Sequence, residues 1–199
     1  MGIKKQDSRS RYEHIPNWAL DNFIRRLTDN PNQYCSYVTK GQVVADLGSG
    51  PGWYTLPLAE SVGPEGKVYA VDINEKAIRA IEKKANKRGF HNIEVHATSA
   101  SDLSFIKDES VDFVLANGLL CSMAPKYREA TVNEIKRILK PSGKAYLSLG
   151  QRPPLGYVDR EEWAKILERF RVEQRDSSRD MWAVVSINTS ARYKSFLGA

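Results

Sequence analysis

The amino-acid sequence predicts an α/β fold: a seven-stranded, mostly parallel sheet with helices on both faces, closed by an antiparallel hairpin of its last two strands. Three observations predict it. Short apolar runs alternate with longer amphipathic stretches from Val43 onward. A glycine-rich turn leaves the first of those runs. Only a few polar residues separate the last two runs, too few for a crossover helix, so those strands must be antiparallel neighbours.

The elements follow in chain order. Ile15, Trp18, Leu20, Phe23, Ile24 and Leu27 recur at roughly helical spacing and would lay one face on something larger. Strands are predicted at Val43–Leu47, Lys67–Asp72, Ile93–His96, Val111–Ala116 and Lys144–Leu149. Between the second and third, Asn74 can cap a helix whose Ala77, Ile78, Ile81 and Ala85 share a face, and Gly89 can end it. Tyr127 to Leu139 reads as another helix, closed by Pro141 and Gly143. Asp159 is a good N-cap for a third, with Glu161 and Glu162 favourable to the helix dipole and Trp163, Ile166, Leu167 and Phe170 facing inward. Arg171–Arg175 and Met181–Asn188 then read as the closing hairpin around Ser177–Asp180. The chain shows no repeat and no dividing linker. It is read as one globular unit, with residues 1–39 an arm and leading helices that cover the site and 40–199 the main domain.

Composition excludes several classes. With 199 residues and 41% hydrophobic positions, the chain can bury a sizeable core. No apolar run approaches the roughly 20 residues of a membrane-spanning helix. No basic segment leads into an apolar one at the start, so the expected location is the cytoplasm. Cys35 and Cys121 cannot form a disulfide framework, and with three histidines they offer no zinc spacing, so no metal is expected. Of the net charge of +6, a large part lies in Met1–Arg11, where Lys4, Lys5, Arg9 and Arg11 face Asp7 alone. Such an arm can contact phosphate, but a solvated terminus is the simpler reading, so a nucleic-acid partner is not favoured.

The stretch Val43-Val44-Ala45-Asp46-Leu47-Gly48-Ser49-Gly50-Pro51-Gly52-Trp53 carries the chemistry. It reads as a buried strand, a glycine turn and a helix with Leu56, Leu58 and Ala59 on one face. Glycines at alternate positions let a ligand approach the main chain closely. Dinucleotide enzymes use G-x-G-x-x-G, whereas the spacing here is G-x-G-x-G, with Trp53 where the third glycine would fall. Asp46, two residues before the first glycine, would repel a pyrophosphate and suits a ligand that brings a cation, such as an amino-acid ammonium. No Gly-Lys-Ser/Thr follows, which excludes a P-loop. Asp72 ends the second strand in Val-Tyr-Ala-Val-Asp, where a carboxylate can accept hydrogen bonds from both hydroxyls of a ribose.

These motifs resemble the class I S-adenosylmethionine-dependent methyltransferases, over about Lys40 to Asn188. Val-Ala-Asp-Leu-Gly-Ser-Gly-Pro-Gly is similar to the first family motif and Val-Tyr-Ala-Val-Asp to the second. The segment from Asn133 to Gly143 resembles the helix-to-strand region of the subgroup acting on small molecules, quinone-biosynthesis and arsenite methyltransferases among them. The resemblance implies a Rossmann-like sheet and S-adenosylmethionine as cofactor. It implies Asp46 near the methionine ammonium, with Gly48, Ser49, Gly50 and Gly52 lining methionine and ribose. Asp72 would hold the ribose, Ile73 would pack on adenine, Ala100 would offer its N–H, and Asn117 would face the methionine end. The family usually has an acid where this chain has Ser99; either Ser99 or Asp102 takes that place.

The implied reaction is in-line displacement on a methyl, in which a general base is optional, so no catalytic residue is named. After the fourth strand the chain reads Asn117-Gly118-Leu119-Leu120 rather than the Asn-Pro-Pro-aromatic of amino-methylating nucleic-acid enzymes. The expected partner is a small-molecule acceptor. Candidate acceptor-pocket residues are Tyr12, His14, Trp18, Cys121, Met123, Tyr127 and Tyr157. An RNA or protein methyltransferase using the basic arm, or a cofactor-binding subunit without catalysis, are the alternatives.

Overall fold

A computed structural model describes residues 30–149, 158–176 and 182–188. The expected leading helix, with Tyr12, His14 and Trp18, lies outside these residues, as does Tyr157. A 3-10 turn at Cys35–Tyr37 precedes β1 (Val43–Leu47), α1 (Thr55–Val62), β2 (Lys67–Asp72), α2 (Glu75–Arg88) and β3 (Ile93–Ala97). Then come β4 (Val111–Asn117), a single turn α3 (Leu119–Ser122), α4 (Pro125–Ile138), β5 (Leu139–Ser148), α5 (Arg160–Glu168), β6 (Arg171–Asp176) and β7 (Trp182–Ser186). The seven strands form one sheet in the order β3-β2-β1-β4-β5-β7-β6. The first five are parallel, while β7 runs antiparallel to both β5 and β6. The fold class expected from the sequence is the one observed.

Alternation along the strands sorts the core into two layers. Val44 of β1 and Phe113 and Leu115 of β4 pack with Leu58, Ala59 and Val62 of α1, and Tyr34 and Val38 complete that layer. Ala45 and Leu47 point the other way, into a larger cluster with Val132, Ile135 and Ile138 of α4 and Trp163, Ile166 and Leu167 of α5. The caps read from sequence are in place. The Asn74 side chain accepts from the Lys76 and Ala77 N–H groups, Gly89 ends α2 in the left-handed conformation, and Asp159 accepts from Glu162 N–H. Each such N-cap stabilises its helix by about 1 kcal/mol.

One boundary departs from expectation. Pro141 and Gly143 do not close the preceding helix; they lie inside β5, which begins at Leu139 instead of Lys144. Leu139 pairs with Val111, and Lys140 Nζ meets both carboxylate oxygens of Asp112 at 2.7 Å. These contacts draw the chain into the sheet at once, and the pairing then shifts before resuming at Phe113 with Lys144. Gly143 is required at that irregularity, since a Cβ there would stand 2.9 Å from the Val111 carbonyl oxygen. No helix among the described residues is long and apolar enough to cross a membrane.

Candidate functional site

The strand order reverses between β1 and β4: the chain moves outward through β2 and β3 on one side and through β5 on the other. Connections leave the carboxyl ends of β1 and β4 in opposite directions and open a crevice there, the usual ligand site of an open parallel sheet. Register places the polar side chains around it. Asp46 lies opposite Ala70 and Leu115, so Asp72 and Asn117, each two residues further on, flank the level of Gly48 on the same face.

The glycine turn is fixed through its backbone. Gly48, Gly50 and Gly52 take φ values of 75°, 52° and 88°, the left-handed region that side chains resist. Gly48 and Ser49 N–H both donate to the Val71 carbonyl, at 2.8 and 3.0 Å, and Lys84 Nζ of α2 donates to Pro51 O at 2.7 Å. Asp72 ties the turn to β2: one carboxylate oxygen accepts Gly50 N–H and the other Asn74 N–H, both at 2.8 Å. Those bonds fix the carboxyl plane. Asp46 is buried and accepts the Thr55 hydroxyl at 2.7 Å.

Two observations mark the turn as built for a ligand. Ser49 is buried, and among the described residues its hydroxyl has no hydrogen-bond partner. A buried polar group in that state calls for one. Ile73, immediately after Asp72, is an apolar side chain left 47% exposed at the same edge. A zwitterionic nucleoside with a ribose and a flat base fits this set of groups. Further round, Ala100 is buried, Ser99 is half-buried with its hydroxyl 2.8 Å from that of Ser101, and Asp102 is exposed and accepts the Ser104 N–H of its own turn.

On the far side of the crevice Asn117 is held by a network that sequence reasoning missed. Its amide Nδ2 donates to Tyr54 OH at 3.1 Å, and its Oδ1 accepts the Ser148 hydroxyl at 2.6 Å. Gln33 Nε2 also donates to Tyr54 OH. Register could have found Ser148, which faces Asn117 across parallel strands; nothing local in the sequence points to Tyr54 or Gln33. The segment after β4 then packs back on the turn: a Cβ on Gly48 would lie 3.1 Å from Leu119 Cδ1. Cys121 and Met123 are half-buried in that segment, where burial pushes the Cys121 thiol pKa up and keeps it neutral. Tyr127 instead stands exposed at the start of α4, with the Lys126 ammonium over its ring. The described residues contain no cluster of three or more metal-ligating side chains.

Residues 44–143 match the family model described as a methyltransferase domain. A demethylmenaquinone methyltransferase from Geobacillus stearothermophilus is 38% identical over 106 residues, covering 53% of this chain and 44% of that protein. An arsenite methyltransferase from Halobacterium salinarum is 30% identical over 119 residues, 60% of this chain and 29% of that one. The match therefore spans less than half the length of either relative. Among solved structures, a SAM dependent methyltransferase from Aquifex aeolicus superposes with a TM-score of 0.72 at 24% identity, covering 92% of this chain and 100% of the other.

Proposed function

Because the chain belongs to the class I S-adenosylmethionine-dependent methyltransferase family, we propose that it transfers a methyl group from that donor to a small-molecule acceptor. The observation that carries this reading is the glycine turn whose Gly50 N–H is locked to the Asp72 carboxylate beside the buried, unpartnered Ser49 hydroxyl. When bound, the donor would supply a sulfonium-activated methyl that the acceptor attacks in line, with the S–CH3 bond breaking and adenosylhomocysteine leaving.

The chain's own residues do the holding. Asp72, oriented by two backbone N–H groups, accepts from the ribose hydroxyls, and such charge-assisted bonds are roughly twice as strong as neutral ones. The left-handed backbone at Gly48, Gly50 and Gly52 sets the path of the turn against Leu119 and Ile81, presenting its main chain to methionine and ribose, and Ser49 Oγ gains its partner there. Asp46 faces the ammonium with its carboxylate steadied by Thr55. Ile73 offers its exposed surface to the adenine, and Ala100 its N–H. At the departure from the family pattern, either Ser99 or Asp102 takes the adenine contact; each side chain also accepts an N–H of its own turn. Asn117 closes the methionine end. Orientation in a small crevice supplies the rate, since displacement at a sulfonium methyl needs geometry more than proton transfer.

The relatives' names suggest the acceptor class. Arsenite binding asks for a cluster of soft thiolates, and this chain has two cysteines in separate elements. A reduced aromatic ring carbon, as in a naphthoquinol, needs no such cluster and suits the apolar Leu119 beside the turn.

Calorimetry with adenosylhomocysteine, followed by labelled methyl transfer to a soluble naphthoquinol, arsenite, RNA and protein, tests the proposal. Binding to wild type and label in the naphthoquinol are expected. Absence of binding overturns the cofactor assignment, and label confined to RNA or protein overturns the acceptor class.

A further inference from the structure

Helix α4 carries a buried arginine that the binding groups above do not use. Arg128 is 3% exposed, and its guanidinium meets four acceptors. Nε donates to Leu120 O at 2.8 Å and one terminal nitrogen to Met123 O at 3.3 Å, so it grips the segment after β4 at two points. The other terminal nitrogen reaches both carboxylate oxygens of Glu162 in α5, at 2.7 and 2.8 Å. Removing a charge from water on this scale is costly unless every donor is used. A core of this size could place Leu or Met at the position at less cost, so the arginine answers a geometric need.

That need is visible in what the segment touches. Gly118 leaves β4 with φ 66°, its N–H donating to Ser148, and Leu119 packs against the glycine turn. α3 is only one turn long, closed on itself by the Cys121 thiol on Gly118 O and the Ser122 hydroxyl on Leu119 O, and these bonds do not tie it to the rest of the molecule. Two carbonyls turned inward onto Arg128 fix it to α4. Thr131, one helical turn along α4, adds a weak contact to Met123 Sδ at 3.5 Å.

We propose that Arg128 and Glu162 are positioning residues that hold the Leu119–Met123 segment as the acceptor-side wall of the crevice, without taking part in donor binding. This rests on the methyltransferase reading, because it assigns that wall to the acceptor. Lysine cannot replace Arg128: a point charge with three donors cannot span two carbonyls and a carboxylate in one plane. Glutamine at 162 keeps the shape and one hydrogen bond but removes the charge.

The test uses the full chain and the variants Arg128→Lys and Glu162→Gln, each read by hydrogen exchange, adenosylhomocysteine calorimetry and naphthoquinol kinetics. Amide exchange across residues 119–123 should rise about tenfold, while exchange in β1 and β2 stays as in wild type. Adenosylhomocysteine affinity should stay within twofold, and KM for the soluble naphthoquinol should rise at least fivefold, more in Arg128→Lys than in Glu162→Gln. Unchanged exchange across 119–123, or loss of adenosylhomocysteine affinity in step with it, overturns the proposal. A wild-type chain that binds no adenosylhomocysteine overturns the underlying reading instead, before any variant is compared.

Discussion

The two walls of the crevice are built by different means. The proposed donor-side wall, Gly48 to Gly52 with Asp72, is held mainly by main-chain hydrogen bonds between neighbours in the sheet and one carboxylate, with the Lys84 ammonium on Pro51 O. The acceptor-side wall, Leu119 to Met123, is held by a side chain that reaches from α4 and is anchored on α5, 34 residues further along the chain. A backbone-fixed wall admits few substitutions and suits a ligand that never changes. A wall fixed by one long side chain can be re-aimed by changing its anchors, which suits a partner that differs from one relative to the next.

That contrast can be broken at several points. Asp72→Ala strikes the donor wall hardest: it removes the anchor of Gly50 N–H and the proposed ribose acceptors together. Adenosylhomocysteine affinity should fall roughly 100-fold by calorimetry, given about 1.5–3 kcal/mol for a hydrogen bond to a charged group, with little change in far-ultraviolet circular dichroism. Unchanged affinity would remove Asp72 from the site. Gly52→Ala forces a side chain into the left-handed region with its Cβ 3.0 Å from Ile81 Cγ1. Urea denaturation should show a loss of about 1–3 kcal/mol, and a neutral result would mean that the turn can relax.

A second arginine of α4 sharpens the comparison through pH. Arg137 donates to Glu134, Asp108 and the Leu103 and Ile106 carbonyls, and Glu134 accepts Leu103 N–H at 2.7 Å, so the pair staples the connection carrying Ser99 and Ala100 to the helix. The hydrogen bond from Arg137 holds the Glu134 carboxyl below its ordinary value of 4.5, and the pairing keeps Arg137 charged throughout. A depressed carboxylate contributes stability above its unfolded pKa and loses it as pH falls through the lowered folded value. Thermal melts should therefore show wild type declining below about pH 4.5, the ordinary value of a glutamate carboxyl, with Glu134→Gln less stable at neutral pH and flatter on the acid side. Parallel acid limbs in the two proteins would rule out this contribution. The smallest effect is expected at Ile73, whose exposed side chain contributes little to the fold. Ile73→Ala should weaken adenosylhomocysteine binding about fivefold through lost apolar contact and leave the urea midpoint in place; a shifted midpoint would make it a core residue.

The same contrast explains what the sequence revealed. Strand alternation, the Asn74 and Asp159 caps and the brevity of the Ser177–Asp180 gap are local signals, and they led to the sheet and its closing hairpin. The proposed donor-side residues were singled out for a related reason: left-handed glycines and a strand-ending acid are local requirements that only certain residue types meet. Tyr54, Ser148 and Arg128 were not legible, because their roles come from contacts between elements far apart in sequence. The early start of β5 was hidden likewise, since Pro141 and Gly143 carry the local signature of a helix stop while the Lys140–Asp112 pair acts across strands.

The position of β7 has a bearing on how the chain is made. It lies between β5 and β6, although it is synthesised after both. Until residues 182–186 have left the ribosome, the Lys144–Ser148 border of the nascent sheet has open amides and carbonyls, and β6 has nothing to pair with. Ala183, Val185 and Ile187 also complete the larger apolar layer, so that layer stays unsealed for the same interval. A chain halted before this strand presents a raw sheet border of the kind that recruits other unfinished chains, which places the need for chaperoning in the interval between β6 and β7.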